Sequence, residues 1–192
     1  MIIGIDCDEV LSSTLEELIK FPEFNGAKWE SFYSYNPLAA PWFHMDGIEL
    51  LLIFLKLFQS DHFWDIKPIP GALQQLKKLK EAWHELVIIT WRPEMVAERT
   101  KKWVEEHYPN LFSDFLFAST HTENQKTKAE LCEERGIQLV IEDDPFFVSD
   151  LSEKGVPCIL LNYPRNQDFD LEKHSNVHKI KSRNDFDLSF LP

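Results

Sequence analysis

Met1-Ile2-Ile3-Gly4-Ile5-Asp6-Cys7-Asp8-Glu9-Val10 opens the chain with an apolar run that ends in two carboxylates two residues apart. Residues 1–5 read as a short strand without the polar alternation of a half-exposed one, the pattern of a strand covered on both faces of a parallel sheet. Ligands of open α/β sheets bind at the carboxyl ends of the strands. Charge concentrated there is costly unless a cation or a reacting group uses it. The plainer reading makes Asp6 and Asp8 exposed turn or cap residues. It loses weight because later strand ends carry matching chemistry.

From Pro70 onward strands and helices alternate. Residues 71–82 place Leu73, Leu76 and Leu79, with Trp83 beyond them, at helical spacing. Residues 86–90 are a buried strand. Residues 94–107 carry Val96, Arg99 or Thr100, Trp103, Val104 and His107 along one stripe and stop before Pro109. A strand is expected over 115–119, a helix over 128–135 with Gly136 as its stop, and a strand over 138–142. A helix over 145–154, a strand over 157–162 and a short edge strand over 177–180 follow. This order predicts an α/β fold, a Rossmann-like three-layer α/β/α arrangement about a parallel sheet.

Residues 12–67 break the rhythm. They hold Phe21, Phe24, Trp29, Phe32, Tyr33, Tyr35, Trp42, Phe43, Phe54, Phe58, Phe63 and Trp64, interrupted by Pro22, Pro37 and Pro41. Helices fit near 14–20 and 47–59. The segment reads as a small helical cap inserted after the first strand, with 1–11 and 68–192 forming the core. The net charge of −12 argues against a nucleic-acid polymer or an anionic membrane as partner, but leaves single nucleotides open. Cys7, Cys132 and Cys158 show no CxxC or zinc spacing and read as buried thiols in a reducing, cytoplasmic setting. Met1 leads straight into the first strand, so no signal peptide is expected, and the longest apolar run, 48–58, is too short to span a bilayer. Oligomeric state is not legible.

Four features fall at strand or helix ends in chain order: Asp6 with Asp8, Thr90, Lys128, and Asp143 with Asp144. Together they suit phosphoryl transfer through an aspartyl phosphate, since a carboxylate can attack phosphorus and divide one hard step into two. Paired anions need a hard cation between them, and Mg²⁺ suits an oxygen-only site. Asp6 and Asp143 could supply carboxylates, and a backbone carbonyl near Asp8 a third ligand. Asp8 would then protonate the leaving oxygen and later activate water. Thr90 and neighbouring amides, Trp91 among them, would hold phosphate oxygens, and Lys128 would offset developing charge. Each alone has a bland reading: Thr90 as a cap, Lys128 as a solvated helix start, and 142–145 as the acidic beginning of a helix.

Taken together, Gly4-Ile5-Asp6-Cys7-Asp8-Glu9-Val10-Leu11 resembles the DxDx(T/V) motif of the haloacid dehalogenase superfamily. Val87-Ile88-Ile89-Thr90, Lys128-Ala129-Glu130-Leu131-Cys132 and Val140-Ile141-Glu142-Asp143-Asp144 resemble its second, lysine and acidic motifs. Pro68-Ile69-Pro70-Gly71-Ala72, followed by Thr90-Trp91-Arg92-Pro93, is similar to the 5'(3')-deoxyribonucleotidase family and related bacterial nucleotidases. The resemblance implies a Mg²⁺-dependent phosphatase with Asp6 as nucleophile, Asp8 as general acid/base and Asp143 as metal carboxylate. Sliding the acidic motif by one residue would make Asp144 the ligand. Glu142 stands where a small residue or Asp is usual, and Lys126 competes with Lys128 for the lysine motif.

The expected substrate is a small phosphate monoester, a nucleoside monophosphate and possibly a deoxyribonucleotide. Cap aromatics, Trp42 and Phe43 included, are candidates for stacking on a base or for filling the cap's own core. Arg92 either reaches substrate phosphate or a cap acid, or pairs with Glu94 or Glu98 at a solvated helix start. Two rival classes remain. A sugar phosphate or other small metabolite would keep the chemistry. A phosphate-binding signalling domain or inactive module would not turn over; receiver domains carry their phosphorylated Asp on a later strand and no aromatic insertion after the first.

Overall fold

The computed structural model describes residues 1–22, 47–118 and 126–180. Strand β1 (Ile2–Ile5) is followed by α1 (Thr14–Leu18), α2 (Gly47–Gln59) and a 3₁₀ turn (Asp61–Asp65). The alternating part comprises α3 (Ala72–Glu81), β2 (Glu85–Thr90), α4 (Ala97–His107), β3 (Phe112–Phe117), α5 (Lys128–Arg135), β4 (Leu139–Glu142), α6 (Pro145–Glu153), β5 (Cys158–Leu161) and β6 (Val177–Ile180). The six strands form one sheet, ordered β3-β2-β1-β4-β5-β6, and every pairing is parallel.

Strand periodicity sorts the core into two layers. Ile3, Ile5, Leu86, Ile88, Leu139, Ile141, Ile159 and Leu161 join one buried cluster with Leu76 and Leu79 of α3 and Trp103 and Val104 of α4. Val87, Ile89, Val140, Cys158 and Leu160 point the other way, into a cluster with Ala129 and Cys132 of α5 and Val148 and Leu151 of α6. The result is the expected three-layer α/β/α sandwich. The three cysteines are free and buried. Burial pushes the Cys7 and Cys132 thiols up to about 12, which leaves them unreactive at neutral pH.

The strand order positions the site. β1 lies between β2 and β4. The chain builds outward from β1 to β2 and β3, then crosses back to place β4 on the other side. A crevice forms at such a reversal, between the carboxyl ends of β1 and β4. Asp6 follows β1 directly, and Asp143 follows β4.

The chain leaves this edge through a tight loop. Leu11 and Ser12 N–H both donate to Cys7 O at 2.9 Å, with Glu9 in the left-handed region at φ 59°. Outgoing and returning segments then pair, Ser13 N–H donating to Lys67 O at 2.8 Å and Ile69 N–H to Leu11 O at 2.7 Å. The Trp103 indole donates to Ile66 O at 2.9 Å, and the Tyr108 hydroxyl to Leu11 O at 2.6 Å, tying this neck to α4. Beyond it Leu15, Leu18, Leu57, Phe58 and Phe63 are buried.

Two elements differ from expectation. β3 begins at Phe112 rather than at 115, because polar Ser113 and Asp114 sit at its exposed start. Ser113 Oγ donates to Glu85 Oε1 at 2.7 Å, and Arg135 Nε to Asp114 Oδ2 at 3.0 Å. The stretch expected as one helix over 94–107 begins as a 3₁₀ turn, Glu94–Val96, before α4. Thr100, not Arg99, completes the buried stripe, while Arg99 reaches out to Ser60 O at 2.7 Å. No helix among the described residues is long and apolar enough to cross a membrane.

Candidate active site

Asp6 is 5% exposed, and its N–H donates to Ile141 O at 3.0 Å, which fixes it beside β4. Lys128 Nζ lies 2.5 Å from Asp6 Oδ1 and 2.5 Å from Glu142 Oε2. That ammonium is delivered by a helix start built to be rigid: Glu130 N–H donates to Thr127 Oγ1 at 3.2 Å, and Thr127 N–H to Glu130 Oε2 at 2.7 Å, a reciprocal capping box. Lys128 is 2% exposed, and Nζ also stands 4.4 Å from the Phe147 ring centroid. Lys126 instead pairs with Glu134 at 2.6 Å on the surface.

Glu142 ends β4 fully buried. Its Oε1 accepts the N–H groups of Asp143 and Asp144 at 3.0 and 3.1 Å. The residue that departs from the expected motif thus shapes the turn and holds the lysine. Asp143 is 1% exposed and pairs with Arg165, and its carbonyl accepts from Asn166 Nδ2 at 2.9 Å. Asp144 faces the other way, its Oδ1 capping α6 by accepting Phe146 N–H at 2.8 Å.

Carboxylate oxygens of Asp6, Glu142 and Asp143 lie within 4.8 Å of one another. Burial pushes the Asp6 carboxyl up to about 8; Glu142 and Asp8 add to the rise, and Lys128 opposes it. Burial also raises Asp143 well above the usual carboxylate range, with Arg165 opposing and Glu142 and Asp6 adding. Three buried carboxylates face two cationic side chains, Lys128 and Arg165. An oxygen-only donor set with surplus negative charge fits a hard divalent cation.

Asp8 sits apart from that cluster. Arg92 Nη2 donates to Asp8 Oδ1 at 2.7 Å, and Nε lies 3.2 and 3.1 Å from the two carboxylate oxygens. Thr14 also donates to Oδ1, and Ser12 Oγ lies 3.3 Å from it. Burial would raise the Asp8 carboxyl, but the guanidinium outweighs it and holds the group below its ordinary value. Thr90 ends β2 fully buried and accepts Arg92 N–H through Oγ1 at 3.2 Å. Trp91 is half-buried, its ring centroid 6.4 Å from that of Phe147.

The structure therefore brings Asp6, Lys128 and Asp143 together, with Asp8 two residues beyond Asp6 in the loop after β1 and Thr90 at the end of neighbouring β2. Arg92, expected at substrate phosphate, at a cap acid or beside Glu94 or Glu98, is 1% exposed and binds Asp8. Its remaining donors go to Ser12 Oγ at 3.0 Å and Thr100 Oγ1 at 3.3 Å, so the guanidinium is engaged by the protein itself. Glu98 pairs with Lys101. Trp42 and Phe43 lie outside the described residues. Sequence reasoning missed Thr14, Ser12, Phe147 and Arg165 as neighbours of the site. Arg165 alone left a trace, a basic residue just after the last buried strand.

The sequence pattern of the family described as "5' nucleotidase, deoxy (Pyrimidine), cytosolic type C protein" matches residues 1–183. A protein of Oceanobacillus iheyensis named "Putative nucleotidase OB0422" is 27% identical over 154 residues, 79% of this chain and 74% of that protein. The haloacid dehalogenase-like hydrolase SP0104 of Streptococcus pneumoniae superposes with a TM-score of 0.69 at 13% identity, over 94% of this chain and 93% of that one, a likeness of fold. With the match spanning all of the described residues, the chain belongs to the cytosolic type C 5'-nucleotidase family of phosphoric monoester hydrolases, and its fold is like that of the haloacid dehalogenase-like hydrolase.

Proposed function

We propose that the chain is a Mg²⁺-dependent nucleotidase of the cytosol that hydrolyses a nucleoside monophosphate, a deoxyribonucleotide foremost, through an aspartyl phosphate on Asp6. The observation that carries the reading is the buried cluster of Asp6, Glu142 and Asp143 bridged by Lys128 at the sheet's reversal point. An Asp6 oxygen attacks phosphorus and the bond from phosphorus to the leaving oxygen breaks, that oxygen taking a proton from Asp8. Water then adds to the phosphorus, its proton returns to Asp8, and the bond to Asp6 breaks to release inorganic phosphate. Thr90, the Trp91 amide and Lys128 hold the phosphoryl oxygens. Asp6, Asp143 and the Asp8 carbonyl, with Glu142 beside them, are the residues that would hold Mg²⁺, which when bound neutralises charge on those oxygens. Residues 12–67 act as the cap that selects the leaving group. The family description and the curated relative support the nucleotide.

Phosphate release from a panel of nucleoside monophosphates and sugar phosphates, with Mg²⁺ or chelator, tests this. Release confined to nucleotides, abolished by chelator and by Asp6→Asn, is the expected result. Release from sugar phosphates alone would overturn the substrate, and release unaffected by Asp6→Asn would overturn the mechanism.

A further inference from the structure

Asp8 is held asymmetrically. Oδ1 accepts from Arg92 Nη2 at 2.7 Å and from Thr14, with Arg92 Nε at 3.2 Å and Ser12 Oγ at 3.3 Å. Oδ2 has a single donor among the described residues, Arg92 Nε at 3.1 Å. A carboxylate oxygen offers about two lone-pair sites. Oδ1 is therefore saturated by fixed donors, and Oδ2 keeps capacity for a proton. The guanidinium that imposes this asymmetry is itself immobilised. It is fully buried, bonded to Ser12 and Thr100, and its Cζ lies 4.8 and 5.5 Å from the ring centroids of Phe58 and Phe63.

We infer that Arg92 is a positioning residue which, together with Thr14, anchors Asp8 by Oδ1 so that Oδ2 is the oxygen that delivers and recovers the proton. The inference rests on the phosphatase reading of Asp6 and Asp8. In the first half-reaction the protonated form of Asp8, which Arg92 disfavours, loses its Oδ2 proton to the leaving oxygen as the bond from that oxygen to phosphorus breaks. In the second, Oδ2 takes the proton of the attacking water as the bond from phosphorus to Asp6 breaks. Arg92 contributes no atom to either step. Its fork fixes the direction from which the proton comes, which a flexible ammonium cannot reproduce.

A bland alternative makes Arg92 only a counter-charge that keeps a buried carboxylate folded. The two differ in how the loss depends on the leaving group. Wild type, Arg92→Lys and Thr14→Val are compared on a nucleoside 5'-monophosphate and on its 5'-thio analogue, in which sulfur replaces the bridging oxygen and leaves as a thiolate without needing a proton. The ratio kcat/KM reports steps up to phosphorylation of Asp6. For Arg92→Lys it should fall about 10²-fold or more on the oxygen ester, the scale of lost general-acid assistance, and less than about tenfold on the thio ester. Thr14→Val should show the same selectivity at smaller size, and it carries the test if Arg92→Lys fails to fold. Equal losses on both esters would overturn the inference while leaving the phosphatase reading intact. A wild-type protein that hydrolyses neither ester would overturn both.

Discussion

Two lysines compete for one role, and their surroundings separate them. Lys128 is buried against two carboxylates, whereas Lys126 shares an exposed pair with Glu134. Exposed pairs contribute about 0–1 kcal/mol, so Lys126→Ala should leave kcat and stability nearly unchanged. Lys128→Ala should lower kcat by about 10²–10³-fold, as expected for loss of a donor to a developing oxyanion. Steady-state kinetics of the two variants decide it, and the reverse order would move the lysine motif. Glu142 makes a second case. It binds Lys128 and two backbone N–H groups while lying within reach of Asp6 and Asp143. Glu142→Gln keeps an acceptor for the amides and removes one negative charge. It should weaken cation affinity by about 10–100-fold, the usual cost of disturbing a group that supports a metal site. A Mn²⁺ titration followed by electron paramagnetic resonance measures this directly, and unchanged affinity would confine Glu142 to anchoring the lysine.

At the scale of elements, the central strand tolerates little. A Cβ at Gly4 would meet Ile89 Cγ2 at 3.0 Å and Ile137 Cγ2 at 3.2 Å, both on residues of the second core layer. Gly4→Val should therefore cost about 1–3 kcal/mol by overpacking, read as a lower midpoint in urea, and would shift β1 and the Asp6 it carries. A midpoint equal to wild type would mean that Ile89 and Ile137 yield freely. The buried strands were legible because apolar runs bounded by turn residues admit few readings, and the acids at their ends drew attention to Asp6, Asp8 and Asp143. β3 was half hidden because Ser113 and Asp114 satisfy their polarity on Glu85 and Arg135, partners remote in sequence. The same remoteness concealed the partner of Arg92. That partner, Asp8, is 84 residues away, and local spacing offered Glu94 and Glu98 instead. Glu142 was visible only as a departure from a pattern, since nothing in a linear reading says that a glutamate will turn inward onto a lysine.

For the whole molecule, the site sets how stability depends on pH and on cation. Asp6 has an ordinary carboxyl value of 3.8 and one of about 8 in the fold, and Asp143 moves in the same direction. Between those limits the folded chain binds more protons than the unfolded one, so stability falls as pH rises. The contribution is fully present below the unfolded value and is lost as pH climbs through the folded one. Asp8 has the opposite sign. Arg92 holds it below its ordinary value, so its contribution is present above about pH 4 and disappears only in acid, outside the window where Asp6 acts. In chelator, then, Tm should be higher at pH 6 than at pH 9. On the proposed reading a divalent cation would bind the ionised cluster in the folded state alone, and it should then raise Tm by mass action. The rise should be larger at pH 9, where fewer protons compete for the carboxylates. Glu142→Gln should reduce both the fall with pH and the gain from Mg²⁺, because it removes one of the charges that raise Asp6. Thermal melts at the two pH values, with chelator and with Mg²⁺, measure all of these at once. A Tm in chelator that is flat or rises from pH 6 to pH 9 would show that the three carboxylates are not forced together by the fold. The charge surplus that argues for a cation would then be gone.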